Sequence, residues 1–225
     1  MDYDLFQSIP QGIVGAQDAE NRRIEAIADE LSRRCELYEA QRGDSQPHVS
    51  SFEVEQRCAE AFAKEHGLWL PMEKVFGLGT PGPSGNENDT YVSNDTVYKV
   101  NNLLNSGSIF RLFDKIRMHN ELFPFAFYRF YAFTGYEGRT IMPILSQDLV
   151  KDAAPTPQIA IDTYMAALGF NRENGVGRYS NAIYTVWDLI PRNVLRDRDG
   201  DIFVVDAEIK IKSNSDSKDP KTATQ

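Results

Sequence analysis

Asp188-Leu189-Ile190-Pro191-Arg192-Asn193-Val194-Leu195 is followed, beyond Asp199-Gly200, by the apolar run Ile202-Phe203-Val204-Val205 that ends in Asp206. Proline has no amide to give to a strand ladder, so Pro191 divides the first block into short extended pieces, Tyr184 to Leu189 and Asn193 to Leu195. Asp-Gly is a tight-turn signal, and a hairpin-like pair is expected around Asp199-Gly200. Such a hairpin sets Asn193 beside Asp206, thirteen residues on. Two oxygen ligands then converge on a hard cation. Each residue alone is ordinary loop chemistry; together, at this spacing, they mark a site. A calcium loop built on Asp197, Asp199, Asp201 and Glu208 is the rival. It fails because Gly200 falls at the fourth position, Ile202 takes the sixth where glycine is required, and strands rather than helices flank it.

Upstream, Gly77-Leu78-Gly79-Thr80-Pro81-Gly82 satisfies G-x-G-x-x-G after the apolar stretch Leu68 to Leu78, which carries few helix signals and is expected to be a strand. Glycines there let backbone amides approach phosphates. Pro81 and Pro83 remove amides, which leaves Gly85-Asn86 as an alternative phosphate cover. Lys99 stands mid-strand in Val97-Tyr98-Lys99-Val100. It is either a solvated strand lysine or, given the downstream constellation, a phosphate-gripping cation.

Around these residues the chain is expected to be α+β. Residues 1–16, with Pro10, Gly12 and Gly15, show no sustained period. From Asp18 to Gln41, Ile24, Ile27, Ala28, Leu31, Cys35 and Tyr38 recur at helical spacing. Arg42 to His48 reads as a loop, and Ser50 with Glu53 forms a capping box for a second helix that stops at Gly67. Glu87–Val92 and Thr96–Val100 predict a hairpin across Ser93-Asn94-Asp95, and Ser108–Asn120 a helix. Two strands are expected between Phe123 and Leu145, then a helix over Pro155–Phe170. The segment after Lys212 is polar and expected to be disordered. The expected division is a helical region over 1–67, a principal domain over 68–212 and a tail over 213–225.

Composition narrows the function classes. The chain has 225 residues, 41% hydrophobic and 25% charged, long enough for a core without staples. Its formal net charge of −9 argues against direct duplex DNA binding, which needs clustered cations. Cys35 and Cys58 lie in helical patterns and form no metal-spaced cluster. No cationic start followed by an apolar run opens at Met1, and no stretch of about eighteen apolar residues occurs, so no membrane partner is expected and the setting is expected to be cytoplasmic. His48 and His66 look like surface or helix-end residues, and His119 like a structural one.

With Lys99, Asp188, Asn193 and Asp206 in place, the sequence resembles the kinase-like domains of polyvalent proteins, carried by phages and conjugative or other mobile elements of bacteria. The resemblance runs from about Trp69 to Glu208. It is carried by Gly85-Asn86-Glu87, Val97-Tyr98-Lys99-Val100-Asn101-Asn102, His119-Asn120 with Phe123-Pro124, Gln147 with Val150, Gly169-Phe170, and Asp188 through Asp206. It implies a protein-kinase-like two-lobed fold with a small antiparallel N-lobe sheet, N-terminal helices and a truncated C-lobe. It also implies ATP and Mg2+ as cofactors, and a protein or small-molecule hydroxyl as acceptor. On that pattern Asp188 orients the acceptor, Asn193 and Asp206 hold metal, and Lys99 grips phosphate, while Gly77, Gly79, Gly82, Gly85 and Gln147 contact the nucleotide. A kinase lysine is held by a carboxylate, for which Asp114, Glu121 and Glu87 are the candidates.

Departures from the kinase pattern are equally specific. Val186 and Trp187 replace His and Arg before the Asp, and Ala207-Glu208 replaces Phe-Gly after Asp206. Only a short polar segment follows, which puts peptide recognition in doubt. A catalytically silent interaction module of a mobile-element conflict system is therefore the alternative, and adenylyl transfer a third possibility.

Overall fold

Apolar residues at Ile24, Ile27 and Leu31 recur at helical spacing and are buried, so the first long helix presents one stripe to a core. The computed structural model describes residues 11–42, 49–136 and 140–212; the expected loop over 43–48 and the expected tail from 213 lie outside them. Contacts divide the chain into two units at Lys151/Asp152.

In the first unit, α1 spans Gln11–Gln41. Residues 1–10 of the irregular segment expected up to residue 16 lie outside the described residues. Over 11–16 the expectation is corrected: these residues belong to α1, because extending an established helix adds one hydrogen bond for each residue fixed. Side chains added at Gly12 and Gly15 would meet nothing, so these glycines interrupt no packing. Helix α2, Ser51–Glu65, starts at Ser50, whose Oγ accepts from Glu53 N at 3.2 Å. Only this half of the capping box forms, since the Glu53 carboxylate pairs instead with Arg57 at 2.6 Å.

The strand expected over Leu68–Leu78 is also corrected. Trp69 makes a single parallel bridge to Phe133, and then a one-turn helix, α3, runs Met72–Val75 from Pro71. Proline cannot continue a ladder, yet its fixed φ suits a helix start. The turn closes through Gly77 N to Lys74 O at 3.0 Å.

A five-stranded antiparallel sheet follows, made of β1 (Thr80–Pro81), β2 (Asn88–Ser93), β3 (Thr96–Asn101), β4 (Arg129–Gly135) and β5 (Ile141–Asp148) in the order β1-β2-β3-β5-β4. Helix α4, Ile109–Leu122, and a 3-10 turn, Pro124–Ala126, connect β3 to β4. Alternation along β5 sorts the core into two faces. Leu145 joins Ile24, Leu31, Phe62, Leu112, Phe113 and Phe133 under α1, α2 and α4. Its neighbour Ile144 packs with Val75, Tyr91, Val100 and Ala132 on the other face. Lys99 pairs with Leu145, so it projects on the face that α4 covers.

The second unit contains β6 (Ala154–Pro155), α5 (Gln158–Ala167), β7 (Asn171–Arg172), β8 (Tyr179–Ser180), β9 (Tyr184–Trp187), β10 (Val194–Arg196), β11 (Ile202–Val204) and β12 (Glu208–Ile211). Two small sheets result, β11-β10-β6 and β12-β9-β8-β7. The expected hairpin at Asp199-Gly200 is present as β10 and β11, with Val194 opposite Val204. The helix expected from Pro155 begins only at Gln158, because residues 154–155 pair with β10. Strand β12, which the sequence did not suggest, pairs with β9 so that Glu208 faces Trp187.

Across both units the described residues give mixed antiparallel sheets and five α-helices, an α+β chain. No described helix is long and apolar enough to cross a membrane.

Candidate active site

Four strand ends meet at one place in the second unit. The chain leaves β9 at Asp188, enters β10 after Asn193, leaves β11 through Val205-Asp206, and enters β12 at Glu208. Two ladders, β9 with β12 and β10 with β11, therefore bring together residues five and thirteen positions apart. Asn193 is the hinge of the cluster. Its Nδ2 donates to Asp188 O and to Asp188 Oδ2, each at 2.8 Å. Its own carbonyl accepts from Val205 N at 2.9 Å and Asp206 N at 3.3 Å.

Both partners of the Asn193 side-chain nitrogen are acceptors, which fixes the amide orientation and leaves Oδ1 as the oxygen to offer a cation. Asn193 is buried at 9% exposure. The Asp188 side chain is 42% exposed, with Arg192 3.8 Å away. One carboxylate is thus held from below and open above. Among the described residues no group of three or more His, Cys, Asp or Glu side chains gathers around a metal position. An amide oxygen and one carboxylate suit magnesium better, because that ion takes one or two protein ligands and completes its shell with phosphate and water.

The first unit carries the other predicted residues. Lys99 is 8% exposed, its Nζ donates to Tyr128 Oη at 2.9 Å, and it lies 4.7 Å from the centre of that ring. Tyr128 is itself fixed by Asn120, whose side-chain amide donates to Tyr128 O at 2.9 Å and accepts from Tyr128 N at 2.7 Å. Sequence reasoning did not find Tyr128, because an aromatic-dense stretch marks a core and not a particular partner. His119 also packs on it, with ring centres 4.7 Å apart, in keeping with the structural role expected of this histidine.

The glycines divide by position. Gly77 and Gly79 precede β1, and a side chain at Gly79 would overlap the backbone of Val92 and Ser93 on β2. Gly82 and Gly85 lie in the turn that joins β1 to β2. There Gly85 N donates to Asn88 O at 3.0 Å, and a side chain at Gly85 would meet open space. Gly85-Asn86 thus occupies the crest of this turn. Gln147 is buried on β5, and its Nε2 donates to Ala126 O at 2.6 Å.

Of the three carboxylates weighed for Lys99, Asp114 has a side chain 70% exposed beside Arg117 at 4.0 Å, and Glu121 is exposed near the end of α4. Glu87 alone is buried. Its Oε2 accepts from Asn105 Nδ2 at 3.0 Å and pairs with Lys115 Nζ of α4 at 3.4 Å.

The profile of the family described as "Serine/Threonine/Tyrosine Kinase found in polyvalent proteins" matches residues 53–213. The chain belongs to this family. No curated protein and no solved structure matches it. The polyvalent-protein kinase match opens within α2 and runs through both units, so it takes in Lys99 as well as the Asp188, Asn193 and Asp206 cluster. A kinase-like protein is what the residues pointed to from the outset.

Proposed function

We propose that this chain is an ATP-dependent, magnesium-requiring phosphotransferase of protein-kinase-like, two-lobed fold that phosphorylates a hydroxyl on a protein or small molecule. The observation that carries this reading is the cluster in which Asn193 joins Asp188 through its side chain and Asp206 through its backbone.

Asp188 orients the acceptor hydroxyl and takes its hydrogen bond, with Asn193 keeping the carboxylate in place. Asn193 Oδ1 and the Asp206 carboxylate hold magnesium. When bound, that ion offsets charge on the triphosphate. Lys99, steadied by Tyr128, binds phosphate oxygens, and the turn carrying Gly82 and Gly85 covers them, with Gly77 and Gly79 setting its base. Gln147, fixed on Ala126, shapes the sheet face that Lys99 shares. Catalysis on this account is positioning and charge stabilisation.

The test is calorimetry of magnesium-dependent ATP binding together with transfer of labelled γ-phosphate, in the native chain, Asp188→Ala and Asp206→Ala. Binding lost in Asp206→Ala, with transfer lost but binding kept in Asp188→Ala, is the expected result. A native chain that binds no nucleotide would overturn the phosphotransferase and leave a kinase-shaped interaction module.

A further inference from the structure

Asp188 has φ +63°, a left-handed conformation that costs an ordinary L residue about 1–2 kcal/mol. Such strain persists only where neighbouring structure over-determines the backbone. Here it does. Asp188 O accepts from Ile190 N at 3.0 Å as well as from Asn193, and Leu189 N donates to Gly177 O at 3.0 Å. Gly177 itself has φ +69°, and a side chain there would stand 2.7 Å from Leu189 O. Only glycine brings its carbonyl to this place.

Leu189 O accepts from Gln158 Nε2 at 3.1 Å. Gln158 opens α5, and the same nitrogen donates to Tyr179 Oη at 3.0 Å. Tyr179 is 1% exposed; its hydroxyl donates to Asp162 Oδ1 at 2.5 Å, and Arg172 pairs with Asp162 at 2.8 Å. The direction of every bond is fixed. A carbonyl can only accept, so the Gln158 nitrogen faces Leu189, and Tyr179, having given its proton to Asp162, accepts from Gln158. Burial and the Asp162 carboxylate both push the Tyr179 hydroxyl pKa up, so it stays a donor throughout the neutral range.

We infer that Gln158, backed by Tyr179 and Asp162, is a positioning residue that clamps the Asp188-Leu189 backbone and thereby aims the Asp188 carboxylate. The geometric part stands on the contacts alone, and its catalytic consequence rests on the phosphotransferase reading. The clamp orders a turn whose side chains do the chemistry while itself touching no substrate. One cost is visible: Gln158 Oε1 is buried with no partner among the described residues.

The experiment compares the full chain with Gln158→Leu, Gln158→Glu and Tyr179→Phe by amide hydrogen exchange and by transfer kinetics. Leu189 N–H should exchange about tenfold faster or more in the Gln158 variants, while Val97 and Val100 on β3 keep their native rates. The kcat should fall on the order of a hundredfold with the KM for ATP changed by less than about twofold, as expected for a misplaced reacting group. Gln158→Glu matters most. It keeps the shape but cannot donate to a carbonyl, and should behave like Gln158→Leu. Native Leu189 exchange in both, or protection lost equally on β3, overturns the clamp. If either Gln158 variant fails to fold, Tyr179→Phe, which deletes one oxygen, decides by the same exchange measurement. Faster Leu189 exchange in a chain whose native form transfers no phosphate would support the clamp and overturn the phosphotransferase.

Discussion

At Asp188 the carboxylate and the backbone make opposite demands. The side chain is needed for its oxygens, while φ +63° suits a residue without a Cβ. Replacing it therefore inverts the usual ranking of small residues. Asp188→Gly should be more stable than Asp188→Ala by about 1 kcal/mol, although both lose the bond from Asn193 to the carboxylate, keeping only the one to the backbone carbonyl, and both should lose transfer. Denaturant unfolding of the pair measures this. Glu55 gives the second residue-scale prediction. It is buried on α2, where its carboxylate accepts from Ile109 N at 2.6 Å and from Ser108 Oγ at 2.7 Å, at the start of α4. Burial raises its pKa above the usual carboxylate value despite those donors. The native state then holds the proton more tightly than the unfolded one. This contribution is complete below the unfolded carboxylate pKa and is lost as pH rises through the raised native value. Melting temperatures of the native chain should fall across that window more than those of Glu55→Gln; parallel curves would remove Glu55 from the pH balance.

Elements are governed by their ends. Ser50 Oγ caps α2 through Glu53 N, and Ser50→Ala should cost about 1 kcal/mol in a chemical melt, with no change in nucleotide binding. Gly79 is a harder constraint, because a side chain there would enter the Val92 and Ser93 backbone. Gly79→Ala should detach β1 from β2, which loss of protection at Val92, the residue opposite Thr80 whose amide faces β1, would report. Where local signals were strong, the sequence located elements closely: the Asn94-Asp95 turn, the helix over Ser108–Asn120 and the Asp199-Gly200 hairpin all stand close to where their residue types and spacing indicated. Where the signal was only apolar density, it misled. Leu68 to Leu78 is apolar because it packs on the sheet, and Pro71 with Gly77 decides that it does so as a bridge and a helical turn. Strand β12 was invisible for a different reason. Four residues alternating Glu-Ile-Lys-Ile are a strand only because β9 is there to pair with them.

On the scale of the whole chain, α1 lies before the start of the family match at residue 53, yet Ile24, Ile27 and Leu31 share a core with Phe113, Phe130 and Phe133. Leu31→Ala should therefore cost about 2–5 kcal/mol, the range for emptying a buried site, and calorimetric melting would show it. A cost near zero would mean that α1 is an appendage. The sequence by itself determined the chemistry available: one hairpin carrying Asn193 and Asp206, one strand lysine, glycines at a turn, and the membership of a kinase family that these residues foretold. Those are properties of residue type and short-range spacing, which turns and strand periodicity carry. The tertiary structure decided the partners. It set Lys99 on Tyr128, gave the buried Glu87 to Lys115, and put Gln158 and Gly177 on the backbone beside Asp188. These contacts join residues 12 to 31 positions apart. No local pattern encodes such a pairing, because it depends on which faces the sheets and helices bury against each other.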